Sequence, residues 1–165
     1  MAEAVLDWPT IMTAIQAELA AVVNTAGAPA FGENVIAGEP IGLPLGGPYA
    51  CFWYLGRENA RTADGAPASY GNVMYAARIQ VMCLWPRQDR ATLAAWEADI
   101  ATIDTNIRRR FRANSTINND LTDLDITDSR VDYGELPSSP GKVGLYRVLQ
   151  MELRLDNLEG EAISG

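Results

Sequence analysis

The stretch from Val73 to Arg112 constrains the fold most. It consists of an apolar run, VMYAARIQVMCLW, a short turn, PRQD, and then RATLAAWEADIATIDTNIRRRFR. In the last of these, Leu93, Trp96, Ile100, Ile103, Ile107 and Phe111 recur at spacings of three and four, which places them on one stripe of an α-helix. Asp89 stands at the N-cap position, where a carboxylate accepts orphan amide protons of the first turn. Arg108, Arg109, Arg110 and Arg112 stand where positive charge complements the C-terminal dipole.

The preceding run is β-branched and aromatic, which predicts a strand. By the period of two, Val73, Tyr75, Ala77, Ile79, Val81, Cys83 and Trp85 share one face, and Met74, Ala76, Arg78, Gln80, Met82 and Leu84 share the other. Neither face is cleanly polar. A sheet covered on one side by helices shows water-facing polar residues on the other, so the second face is expected to be covered by something further, a neighbouring subunit being one candidate.

At 165 residues the chain fits a single domain, residues 1–165, with a core that needs no staples. A net charge of −8 argues against a general nucleic-acid binder, because affinity for phosphate backbones comes from neutralising them with Lys and Arg. The N-terminus, MAEAVLDWP, lacks a basic region followed by an apolar stretch, and no apolar run approaches membrane-spanning length. Synthesis in a cytoplasm, with no membrane partner, is the expectation. Cys51 and Cys83 both fall in apolar runs, which favours buried thiols over a disulfide or metal site. The absence of histidine removes most zinc and His-based catalytic designs.

Along the chain, Asp7 and Pro9 open a second helix over about residues 8–24, with Ile11, Ile15, Leu19 and Val22 as its stripe and Gly27 as its stop. From 26 to 48 the composition turns to Gly, Pro and Ala, which predicts a long surface excursion with a short edge strand near Asn34 to Ala37. Tyr49 to Leu55 reads as a strand apolar on both faces. The polar, Gly-rich segment 56–72 then forms a hairpin loop, expected to be mobile until a partner orders it. Leu121 to Tyr133 is a strand with a kink near Asp128 or Ser129, residues 135–144 a Pro/Gly/Ser loop, and residues 157–165 a frayed tail. In the closing strand Leu145, Leu149, Met151, Leu153 and Leu155 are expected to face one way, and Val148, Gln150, Glu152 and Arg154 the other. The order predicts an α+β fold: an antiparallel or mixed sheet with two main helices packed on one face.

Catalytic patterns are not apparent. The single lysine, Lys142, lies in SPGKVG, without P-loop spacing or a following helix, and the strand-to-helix turn WPRQD lacks the glycines of a dinucleotide fold. Asp120, Asp123, Asp125 and Asp128 form the densest acidic cluster. The calcium-loop glycine and closing glutamate are missing, however, and on a regular strand Asp123 and Asp125 share a face that Asp120 and Asp128 do not. A solvated acidic edge that discourages stray strand pairing is the better reading. No metal or cofactor is expected. The candidate contact residues are Arg57, Arg61 and Tyr70 of the long hairpin loop, and Arg108 and Arg109 at the helix end. For the arginine run, dipole complementation is the first reading and an intersubunit salt bridge the second.

The capped N-terminal helix, the proline-rich excursion, the apolar hairpin with its long tip, the run RIQVMCLWPRQDRATLAAWEADIATIDTNIRRRF and the closing strand LYRVLQMELRL together resemble the tail terminator (tail-completion) and head-tail joining proteins of long-tailed bacteriophages. The resemblance covers most of the chain in element order and rests on pattern rather than an invariant motif. It implies a non-enzymatic virion subunit, assembled in the host cytoplasm as a homo-oligomeric ring, commonly a hexamer. Such a ring caps the tail tube and meets the neck or stopper protein, with DNA passing through its channel without specific binding. A strand apolar on both faces fits burial by assembly, and long loops fit contact with tube or neck. The rival expectations are another neck or tail component, such as a stopper or tube subunit, and a metal-dependent enzyme built on the Asp cluster.

Overall fold

Apolar periodicity sets both helices in the computed structural model of the chain, which describes residues 7–43, 47–57, 61–62, 73–86, 90–118, 123–138 and 142–159. Helix α1 spans Trp8–Ala20. The Asp7 carboxylate accepts from Thr10 Oγ1 at 2.6 Å and Thr10 N at 3.4 Å, and Pro9 sits in the first turn, where a missing N–H costs little. The helix ends at Ala20, short of the expected residue 24. Val22 to Asn24 are drawn instead into a tight hairpin with Ala28 to Ala30: Ala30 N donates to Val22 O, and the Asn24 side-chain oxygen accepts from Ala26 N and Ala28 N. Gly27, with φ of 76°, makes that turn.

Helix α2 spans Arg90–Ala113. Ile100, Ile103, Ile107 and Phe111 are buried, with Trp96 packed at their margin; Asp89 and the Leu93 side chain lie outside the described residues. One flank of α2 meets α1 and the hairpin after it: Arg110 Nε donates to Glu18 Oε2 at 2.8 Å, Asn106 Nδ2 to Val23 O at 2.9 Å, and Thr25 N to Asp99 Oδ1 at 3.0 Å.

The strands are β1 (Val35–Ala37), β2 (Tyr49–Arg57), β3 (Arg61–Thr62), β4 (Val73–Pro86), β5 (Asp123–Ser138) and β6 (Lys142–Glu159). They form one mixed sheet in the order β1-β2-β4-β6-β5, with β3 also on β4; β1 and β2 are parallel and the other pairs antiparallel. Both helices pack on one face of it, against Phe52, Ile79, Val81, Cys83, Trp85, Leu149, Met151, Leu153 and Leu155. The fold is α+β, as the element order predicts. At about 1.5–3 kcal/mol for each large apolar side chain removed from water, this layer supplies the main stabilisation.

The strands run further than their residues suggested. Arg57 and Arg61 belong to β2 and β3, so the segment 56–72 is not wholly structureless. Residues 157 to 159, expected to fray, pair with β4, Glu159 opposite Val73. The kink expected near Asp128 is a bulge between Ile126 and Asp128. It changes the parity of the strand: Asp123, Asp125 and Asp128 lie opposite Asp156, Arg154 and Glu152, so Asp128 joins the face of Asp123 and Asp125 instead of leaving it.

The second sheet face is covered at its apolar end from within the chain, with Ile36, Trp53 and Met82 beside it partly buried. Its apolar end is a small core of its own, Tyr49, Cys51, Leu84, Tyr146 and Val148, closed by Leu43 from the proline-rich excursion, all at 6% exposure or less. Its other end is polar: Arg78 and Glu152 form a two-pronged ion pair at 2.5 and 2.9 Å, and Gln80 Nε2 donates to Met151 O at 3.2 Å. Among the described residues, no buried side-chain polar atom lacks a partner.

Candidate interaction surface

The arginines at the end of α2 diverge, as positions on a helix must when Phe111 faces the core. Arg110 turns to Glu18 on α1, Arg108 Nε turns back to Asp104 Oδ1 at 3.2 Å, and Arg109 is exposed to solvent. Arg108 and Arg112 line a groove with Phe111, Ser115 and the start of β5, Asp123 to Ile126. Acidic residues on its β5 wall keep this groove from being a cationic patch. Of the other sequence-selected contacts, Arg57 and Arg61 stand at register positions opposite Ala77 and Met74 on β4, and Tyr70 lies outside the described residues.

Chemistry is sparse. Burial pushes the Cys51 thiol up to about 11, and burial, with Cys51 and Asp104 nearby, raises that of Cys83 as well, so neither is a nucleophile near neutrality. Among the described residues, no three or more His, Cys, Asp or Glu side chains are grouped to hold a metal ion, and no helix is long and apolar enough to cross a membrane.

The feature the sequence did not announce is the far end of the β5–β6 hairpin. Strand β4 ends with Pro86 opposite Tyr146, whereas β5 and β6 continue pairing from Glu135 opposite Leu145 to Ser138 opposite Lys142. At about 3.3 Å per residue this overhang is roughly 13 Å long. Along its base, Val131, Tyr133 and Leu145 are 42%, 58% and 46% exposed. Leu145 was expected to face inward, and by parity it does share the face of Leu149 and Met151. There, however, it lies past the end of β4 and is left in solvent. Arg147 braces the strip: its guanidinium lies 4.2 Å from the Tyr133 ring centroid, and its Nε donates to Glu97 Oε1 on α2 at 2.7 Å. A shallow recess beside it is lined by Tyr133, Gly134, Glu135, Leu145 and Tyr146. An exposed apolar and aromatic strip running along the edge strand β5 to the start of the projecting arm is contact chemistry rather than reaction chemistry.

No protein-family model matches the sequence, and no curated protein matches it.

Proposed function

We propose that the protein is a structural component of a long-tailed bacteriophage particle, a tail terminator whose copies form a ring, commonly a hexamer, that caps the tail tube and joins it to the neck. The projecting β5–β6 arm, with Val131, Tyr133 and Leu145 exposed at its base, is the observation that carries this reading. It gives each copy a surface suited to a second protein, and a head-to-tail contact repeated around an axis closes into a ring. The apolar end of the second sheet face lends no support, since Leu43 already closes it. The element order that resembles tail-completion proteins supports the reading independently, and a net charge of −8 fits DNA passing through a channel without adhering.

Labelling particles with an antibody to the protein tests the proposal. A single label at the head-proximal end of each tail is the expected result. Label along the whole tube would make the protein a tube subunit, and particles without label would remove it from the virion.

A further inference from the structure

We infer that the free edge of β5 is a pairing surface for β5 of a second copy, the two strands running antiparallel about a two-fold axis at Val131. This contact is isologous and joins copies two by two through the backbone edge of β5, leaving the sheet face that carries Val131 and Tyr133 open to the ring contact proposed above.

Among the described strands β5 is the last in the sheet, and Asp128, Arg130, Val131, Asp132, Tyr133 and Glu135 along it are all exposed. Long edges of this kind are a template for another strand unless charge forbids it. Residues opposite one another across a two-fold strand pair share a sheet face, so the axis must pass through a residue, and charge chooses among the few available. An axis at Arg130 sets Arg130 against itself and Asp128 against Asp132. An axis at Asp132 sets two aspartates together. An axis at Ser129 brings Asp128 to Arg130, but the bulge between Ile126 and Asp128 breaks the ladder immediately beyond. An axis at Tyr133 forms no charge pair.

The axis at Val131 alone, within the regular stretch, places Arg130 opposite Asp132 twice while bringing no like charges directly opposite. Val131 then meets its own copy, Tyr133 meets Ser129 and Asp128 meets Gly134, so the exposed strip beside the Arg147–Tyr133 stack becomes continuous across both copies. The acidic residues that look like protection against stray pairing thus leave one register open. Arg130 donates to the side chain of Gln150 at 3.2 Å and the Asp132 carboxylate accepts from Tyr133 N at 2.9 Å, both on an exposed surface, so each exchanges a solvent-exposed contact for the ion pair.

Cysteine cross-linking tests the register. Val131→Cys, held under mild oxidation at a concentration on the order of 100 µM to suit a contact of the small, transient class, should give disulfide-linked dimers. Linkage needs Cα atoms within about 7 Å. Glu135→Cys is the control, since this register separates its two copies by roughly 26 Å. The native Cys51 and Cys83 are buried and do not compete. Arg130→Asp should cut linkage of the Val131→Cys protein at least tenfold, and adding Asp132→Arg should restore it, because the swap reinstates both ion pairs. Circular dichroism of each variant checks that it is folded. Linkage of Val131→Cys no faster than Glu135→Cys, or no recovery in the double swap, overturns the inference.

Discussion

Leu43→Ala tests whether the second sheet face is closed by its own chain. Leu43 is 6% exposed and packs in the small core with Tyr49, Cys51, Leu84, Tyr146 and Val148. Truncating a buried leucine costs about 2–5 kcal/mol, the transfer term plus whatever cavity the surroundings fail to fill. Leu43 comes from a segment rich in Gly and Pro rather than from a rigid element, so partial collapse is available and about 2–3 kcal/mol is expected. For a domain of this size that lowers Tm by roughly 4–12 °C. Urea unfolding is the assay: the midpoint should fall with the slope m unchanged, since the substitution barely alters the surface exposed on unfolding. The decisive control is concentration. A contact within one chain gives a wild-type-to-variant difference independent of protein concentration, whereas a contact across subunits gives one that changes with it. A loss below about 0.5 kcal/mol, or a concentration-dependent difference, would refute self-closure.

Phe111→Ala removes the last buried residue of the α2 stripe and should cost about 3–5 kcal/mol in denaturant unfolding. Asp7→Ala deletes the α1 cap that Thr10 meets through both Oγ1 and N, and should cost about 1 kcal/mol by the same measurement. The Arg78 hydrogen bond, against opposing desolvation, holds the Glu152 carboxyl below its ordinary 4.5. A depressed pKa contributes stability that is present above the unfolded value and lost as pH falls through the folded one. Glu152→Gln should therefore be less stable than wild type at pH 7 by up to about 1 kcal/mol, the figure kept small because Arg78 is substantially exposed. That gap should close as pH drops below 4.5, and an undiminished gap in acid would contradict the assignment.

Helix α2 was legible residue by residue because a stripe from Ile100 to Phe111 needs only a 3.6-residue period to be seen. Strand β4 was legible too, but its second face was misjudged. Leu84 and Cys51 look the same in sequence whether a neighbour or the chain itself covers them, and the segment that does so, around Leu43, has no period to betray it. The strand ends were lost for a related reason: Asp156 to Glu159 and Glu135 to Ser138 are polar or Pro-rich, and the partner strand that holds them supplies a ladder no local pattern encodes. The helix of residues 8–24 was overextended because Val22 continues the apolar stripe and is indeed buried, yet reaches the core from a hairpin. Of the contact residues selected from sequence, the arginines were found by charge alone. The exposure of Leu145 depends on where β4 stops and that of Tyr133 on β5 lying at the end of the sheet order, neither of which a local pattern encodes.

Electron microscopy of particles assembled without this protein is the most direct measurement of its role. Termination of tube growth predicts tails of widely varying, excessive length and heads left unjoined, with normal tails restored when the purified protein is supplied during assembly. Tails of uniform normal length joined to filled heads, in particles that lack the protein altogether, would contradict it.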